Sequence, residues 1–206
     1  MMKYNLKISA RILGVMIFCL MLTQGKAQNW DINALKNINP AQPNSGVWRT
    51  FSSTAEPLTV GIPVSMFAVG LLSKDSSLKA RSIEILVSVA AAAIATEGIK
   101  IIFNRDRPYQ KYPLEVFPYD ASEKGKSFPS AHTSLSFATA TSLAITYKKW
   151  YVTVPAFVWA TGVGYSRLYL GEHYPSDVLA GAAVGAAGAI VSHWLNKKIF
   201  SQKRNK

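Results

Sequence analysis

Cysteine is all but missing from this chain. Cys19 is the single example in 206 residues, and it falls in an apolar stretch near the N-terminus. A disulfide framework is therefore excluded, and a mature chain lacking residues 1–27 would have no thiol nucleophile or thiolate metal ligand. Charge is scarce as well: Asp, Glu, Lys and Arg make up 17% of the residues, against about 25% in soluble domains. Acidic residues are the rarer sign, 11 against 23 basic ones, which leaves a formal net charge of +12. Such an excess requires an anionic partner, whether nucleic acid, a membrane surface or a phosphorylated substrate, and composition does not choose among them. Histidine occurs only three times, and no Cys-rich or His-Glu metal constellation is present.

What the chain has instead is apolar length, 49% of all residues. Residues 1–27 carry a positive start (Lys3, Lys7, Arg11), the apolar run ILGVMIFCLMLT and a small-residue site, GKA, ending at Ala27. They read as a signal peptide, or as an N-terminal anchor that is kept. Phe18 is too large to precede a lipidated cysteine at Cys19. Residues 28–206 suffice for one domain.

Residues 28–57 are polar and turn-rich, with a short helix expected around Asp31–Ile38 and a loop at NPAQPNSG. Five apolar runs follow: Leu58–Leu72, Ile83–Phe103, Ala131–Tyr147, Tyr151–Tyr165 and Val178–Leu195. None alternates as a strand would, so each reads as a buried helix. The expected fold is all-α: a single bundle of about five core helices after the signal or anchor segment.

A helix crossing lipid needs about 20 residues. By that measure Ile83–Phe103 and Val178–Leu195 qualify, while Leu58–Leu72 and Tyr151–Tyr165 are short. Charge placement says more than length. If the helices alternate in direction, one end collects Lys74, Lys79, Arg81, Lys148, Lys149, Lys197, Lys198, Lys203, Arg204 and Lys206. That is the bias of a cytoplasmic face, and Tyr147, Trp150, Tyr151 and Trp194 lie near it as an aromatic belt. Gly181 and Gly185 offer a small-residue face for close helix contact. A membrane-embedded bundle is expected, with a soluble helical domain as the alternative.

The opposite end collects Lys100, Arg105, Arg107, Lys111, Lys124, Lys126 and Arg167, together with His132 and His173. Fixed cations of this kind suit a phosphate: arginine through its planar fork, lysine as a point charge. Three segments carry the chemistry. KIIFNRDRP, from Lys100 to Pro108, reads by itself as a basic helix end, with Arg105 the bystander because other cations lie close on either side. FPSAH, ending at His132, is an ordinary helix start with Ser130 as a possible cap. The same start also offers free N–H groups to phosphate oxygens and a histidine able to protonate a leaving oxygen. In SRLYLGEHYPSD, Pro175 would open the last helix and Asp177 would complement its dipole. Alternatively Asp177 accepts from one ring nitrogen of His173, leaving the other free to attack phosphorus. His193 lies outside these segments and reads as a helix-end residue.

Taken together the segments resemble the type 2 phosphatidic acid phosphatase superfamily, which includes membrane lipid phosphatases, class A acid phosphatases and vanadium haloperoxidases. The pattern falls on Lys100, Arg107 and Pro108, then Pro129, Ser130 and His132, then Ser166, Arg167, His173 and Asp177. Its order and internal spacing all fit, and one position departs: Ala131 stands where the family usually has glycine. The resemblance implies His173 as nucleophile of a phosphohistidine intermediate, Asp177 holding its tautomer, and His132 as acid and then base. It implies phosphate binding by Lys100, Arg107, Ser130, Ala131 and Arg167, with no metal and no cofactor. The expected partners are membrane lipids and an anionic lipid phosphate, such as a polyprenyl diphosphate, a glycerolipid or a lipid A species, and no nucleic acid. The expected location is a bacterial cytoplasmic membrane with the site facing the periplasm. A soluble periplasmic acid phosphatase is the alternative, followed by a vanadate-dependent peroxidase and a non-catalytic anion-binding membrane protein.

Overall fold

The computed structural model describes residues 24–122 and 125–203, and every regular element in them is α-helical. In chain order these are α1 (Gln24–Ile38), α2 (Gly46–Leu72), α3 (Ser76–Phe103), α4 (Pro108–Lys111), α5 (Ala131–Tyr147), α6 (Trp150–Tyr169) and α7 (Pro175–Lys203). Five of them, α2, α3, α5, α6 and α7, contain the five apolar runs. The expected leader lies largely outside the described residues, as do Lys124, Arg204 and Lys206.

Helix ends follow local chemistry. Asp75 caps α3, its carboxylate accepting from the N–H groups of Ser77 and Leu78. Ser130 caps α5 in the same way through Thr133, and Pro175 supplies the first residue of α7. The start of α2 differs from expectation. Pro57 and the polar residues before it read as a break, yet the helix runs from Gly46 through both Pro57 and Pro63. Thr50 and Thr54 donate their hydroxyls back to the Gly46 and Phe51 carbonyls, so this stretch satisfies its polar groups within the helix. The correction lengthens α2 to 27 residues, and it is no longer too short to span.

Among the described residues, three stretches are long and apolar enough to cross a membrane: Gly46–Leu72, Ser76–Lys111 (which contains α3) and Pro175–Lys198. The distribution of side chains agrees with that reading. Val60, Val64, Val69, Ile94, Ile101, Val158 and Ile190 all face outward, whereas α5 in the middle buries Thr133, Ser134, Ser136, Ala138, Thr139 and Ala140. Small residues inside and large apolar ones outside invert the arrangement of a soluble domain, and lipid is the solvent that fits such a rim.

The small interior lets backbones approach closely. A Cβ added at Gly185 would lie 2.1 Å from the Ser134 carbonyl oxygen, and one at Gly181 would lie 2.6 Å from that of Ser130. The expected Gly181–Gly185 face is thus the contact between α7 and α5, which run parallel. The other neighbours alternate: Ser52 of α2 meets Arg167 of α6, and Thr96 of α3 meets Ser134 of α5. This places the starts of α5 and α7 beside the ends of α3 and α6. At that end α1 lies across the bundle, with Ile32 and Leu35 packed among Tyr109, Val116, Leu168 and Tyr174. Asn39 fixes the arrangement by donating to the Phe117 and Tyr169 carbonyls and accepting from the Phe117 N–H.

Candidate active site

The turn joining α6 to α7 carries the central residue. Gly171 makes it possible: its φ is +73°, and a side chain there would meet the Phe117 carbonyl at 2.5 Å. The chain then delivers Glu172 and His173 into the interior, 2% and 1% exposed. One helical turn on, Asp177 is fully buried, with its Oδ2 3.5 Å from His173 Nδ1. That separation is at the outer limit of a hydrogen bond. Ser127 Oγ lies 3.5 Å from the same nitrogen and donates to the same carboxylate oxygen, which also accepts from the Tyr174 N–H. Burial pushes the His173 imidazole down to about 4, with Arg167 and Arg107 adding to the effect and Asp177 opposing it. At neutral pH the ring is therefore uncharged, which is the form a nucleophile needs. Burial also raises the Tyr174 phenol.

The other oxygen of Asp177 has a partner that sequence reasoning passed over. Arg105 Nη1 donates to Asp177 Oδ1 at 2.6 Å and to Ser176 Oγ at 2.7 Å. Its Nη2 reaches Asp31 Oδ2 of α1 at 2.9 Å, and the guanidinium lies 3.7 Å from the centre of the Tyr174 ring. Asp31 accepts in turn from the Ser176 N–H at the start of α7. Arg105, expected as a bystander, is instead paired with the carboxylate behind His173. Its flanking cations point elsewhere: Lys100 lies 3.4 Å from Glu97 and lines the small cavity described next, and Arg107 turns to Glu172.

A small cavity of about 180 Å³ is lined by Lys100, Arg107, Ala131, His132 and His173, with Ala55, Glu56 and Leu135 completing its wall. Lys100 enters from the last turn of α3, Arg107 from the corner after it, and Ala131 and His132 from the first turn of α5. Arg107 is 3% exposed and is held by the Glu172 carbonyl and carboxylate, both at 3.3 Å, and by the Gly125 carbonyl. The backbone couples the two histidine-bearing elements, because the Ser130 N–H donates to the Asp177 carbonyl at 3.0 Å. Five of the eight expected site residues thus face one space.

The remaining three stand just behind or beside it. Asp177 backs His173. Ser130 is fully buried, and its hydroxyl accepts from Thr133 as the cap of α5, so it shapes the turn that presents Ala131 and His132. Arg167 is anchored by Ser52 at 2.6 Å and lines a larger neighbouring cavity, which His132 also lines. His193 sits far along α7, against Glu84 of α3. Among the described residues no group of three or more His, Cys, Asp or Glu is placed to hold a metal ion.

The same order of residues runs through a known family. Residues 81–201 match the model of the PAP2 superfamily. The chain belongs to the PAP2 superfamily. A lipid A 4'-phosphatase of Bacteroides thetaiotaomicron is 27% identical over 168 residues, covering 77% of this chain and 74% of that one. An undecaprenyl-diphosphatase of Sulfolobus acidocaldarius is 32% identical over 108 residues, half of each chain. The fold is shared with the transmembrane PAP2-type phosphatidylglycerolphosphate phosphatase of Bacillus subtilis, with a TM-score of 0.64 and 23% identity over 91% of this chain and 96% of that one. The chain is a membrane-embedded PAP2 phosphatase. Two features of its site lie outside what the family pattern covers: the Ala131 methyl group in the cavity wall, and the ion pair that brings α1 to Arg105.

Proposed function

We propose that this PAP2 phosphatase hydrolyses the phosphate ester or diphosphate of a membrane lipid through a phosphohistidine on His173, at the non-cytoplasmic face of the membrane. The observation that carries the reading is a buried, uncharged His173 backed by Asp177 and facing the same small cavity as Lys100, Arg107 and His132. In the first step His173 Nε2 attacks phosphorus, the P–O bond to the leaving group breaks, and His132 gives its proton to the departing oxygen. Asp177 takes up the charge that then develops at Nδ1–H. In the second step His132 accepts a proton from water, whose oxygen attacks phosphorus. The P–N bond breaks, inorganic phosphate leaves, and both histidines return to their starting forms. Lys100, Arg107, Arg167 and the N–H groups at the start of α5 neutralise the phosphoryl oxygens throughout, which is most of what phosphoryl transfer demands.

The location is supported by charge. The end of the bundle away from the site carries Lys74, Lys79, Arg81, Lys148, Lys149, Lys197 and Lys198, the bias expected of a cytoplasmic face. Residues 1–27 then serve as the signal or anchor that starts the chain across the membrane. The relatives' substrates, lipid A and undecaprenyl diphosphate, set the range to be tried. Phosphate release from lipid phosphates, lipid diphosphates and a water-soluble monoester, by purified wild type and His173→Ala, tests the reading. The variant should lose at least about 10³-fold in kcat while remaining folded. Undiminished turnover in the variant rejects the mechanism.

A further inference from the structure

The carboxylate behind His173 is held from α1, a helix that none of the three motif segments contains. Asp31 is 2% exposed, and both of its oxygens are engaged toward the start of α7. Oδ1 accepts from the Ser176 N–H at 2.9 Å, and Oδ2 accepts from Arg105 Nη2 at 2.9 Å and from the Ser176 hydroxyl. Arg105 Nη1 then reaches Asp177 Oδ1 at 2.6 Å, and the far oxygen of Asp177 lies 3.5 Å from His173 Nδ1. A line of side chains thus runs Asp31, Arg105, Asp177, His173, from α1 to the imidazole.

Packing does not ask for a charge at position 31. Ile32 and Leu35 already seat α1 among Tyr109, Val116, Leu168 and Tyr174, and a buried carboxylate costs desolvation that an apolar residue would not. The effect of the charge falls on Arg105. A guanidinium with one acceptor can pivot about that contact, whereas acceptors on both terminal nitrogens fix its plane. The Tyr174 ring, 3.7 Å away, limits the movement that is left. The fixed fork in turn fixes the rotation of the Asp177 carboxylate. That rotation decides how Oδ2 meets Nδ1, a contact already at the outer limit of a hydrogen bond. Charge counts as well as geometry. Arg105 alone would neutralise Asp177 and leave nothing to balance the cationic ring formed when His173 attacks phosphorus. With Asp31 the trio keeps one net negative charge, so Asp177 still stabilises that ring.

We propose that Asp31 is a positioning residue for catalysis: acting through Arg105, it orients the Asp177 carboxylate against His173 and preserves its charge. Helix α1 is then part of the catalytic assembly and not only a cover over the end of the bundle. The proposal rests on the phosphatase reading above and assigns its nucleophile a support from outside the motif segments.

The test uses the full-length protein in mixed micelles and follows phosphate release from phosphatidic acid, a polyprenyl diphosphate and p-nitrophenyl phosphate. Inorganic phosphate serves as the competitive inhibitor. On the substrate that wild type turns over fastest, Asp31→Asn should lower kcat about tenfold, with KM and the phosphate inhibition constant within about twofold of wild type. Asparagine keeps an oxygen for the Ser176 N–H and loses the charge, so the melting temperature should stay close to that of wild type. Leu35→Ala is the packing control, and it should lower the melting temperature more and kcat less than Asp31→Asn does. In an Arg105→Gln background, Asp31→Asn should lower kcat by no more than about twofold further, because its route to Asp177 is already cut. Four results overturn the proposal while leaving the phosphatase intact: an undiminished kcat in Asp31→Asn, a loss confined to KM, a loss that persists in full in the Arg105→Gln background, or a fall in melting temperature as large as that of Leu35→Ala. Failure of the wild type to release phosphate from any of the three substrates overturns the phosphatase reading as well.

Discussion

His173 and Arg105 reach the same carboxylate from opposite sides, and they were not equally visible in the sequence. His173 and Asp177 sit one helical turn apart, so their spacing alone suggests a pair. Arg105 meets Asp31 across 74 residues and Asp177 across 72, and no local pattern encodes either contact. Its neighbouring cations made it look redundant, whereas the fold sends each of them elsewhere. The signal that existed was indirect: Asp31 is the single acidic residue of a short helix whose other residues are apolar, amide or basic. Arg105→Gln should lower kcat by about 10²-fold with little change in KM, because a misaligned nucleophile loses rate without losing phosphate contacts. Arg105→Lys, which keeps the charge but not the fork, should recover only part of it. A loss confined to KM would show that Arg105 binds substrate and does not position His173. In the same measurements, wild-type kcat/KM should hold as pH falls below 6.5. The folded imidazole stays neutral down to about 4, so protonation of the nucleophile removes activity only below the ordinary histidine range. The linked stability has the same sign. It is fully present above 6.5 and is lost as pH falls toward 4, where the unfolded ring has already taken up its proton.

At the scale of elements, the apolar runs located every long helix but cut several of them short, the start of α2 most of all. Prolines were the reason. Pro175 at the first position of α7 marks a helix start, as expected, but Pro57 and Pro63 lie inside α2. The hydroxyl-rich stretch from Thr50 to Thr54 looked like loop because its hydrogen bonds turn back on its own backbone. The glycines were easier to read, since Gly181 and Gly185 carry the spacing of a helix-contact face. Gly185→Val should lower the melting temperature sharply, because its side chain would collide with the Ser134 carbonyl where nothing can move aside. Overpacking of this kind costs about 1–3 kcal/mol or more. Gly61→Ala is the control, since no atom lies within 4 Å of a Cβ there, and it should melt like wild type. Equal melting temperatures for the two variants would mean that α5 and α7 are not in backbone contact.

For the whole molecule, the composition that opened the sequence becomes an experimental tool. With Cys19 replaced by serine, the chain has no thiol, so single cysteines report their surroundings without interference. Leu114 lies at the site end of the bundle and Trp150 at the other, 89% and 77% exposed. A membrane-impermeant thiol reagent should label Leu114→Cys in intact cells and Trp150→Cys only after permeabilisation. The reverse pattern would put the site on the cytoplasmic side. The sequence alone motivates this expected orientation, because charge bias is read by counting, without any knowledge of packing. It could not supply the larger cavity beside His132, whose walls come from α2, Tyr119 and Asp120, the end of α6 and the turn after it.

The contact between α5 and α7 has a consequence for how such a protein can change over time. His132 rides on the first turn of one helix, His173 just ahead of the other, and the two helix starts are joined main chain to main chain at Ser130 and Asp177. Their spacing is therefore set by main-chain atoms that every residue but proline possesses. Substitutions on the lipid-facing rim leave that spacing alone, and so do most substitutions on the wall of the larger cavity. Drift can rewrite the outside of the bundle while the distance between the two histidines stays fixed. The glycines at the seam are the exception, because a side chain at Gly181 or Gly185 would collide with the α5 main chain.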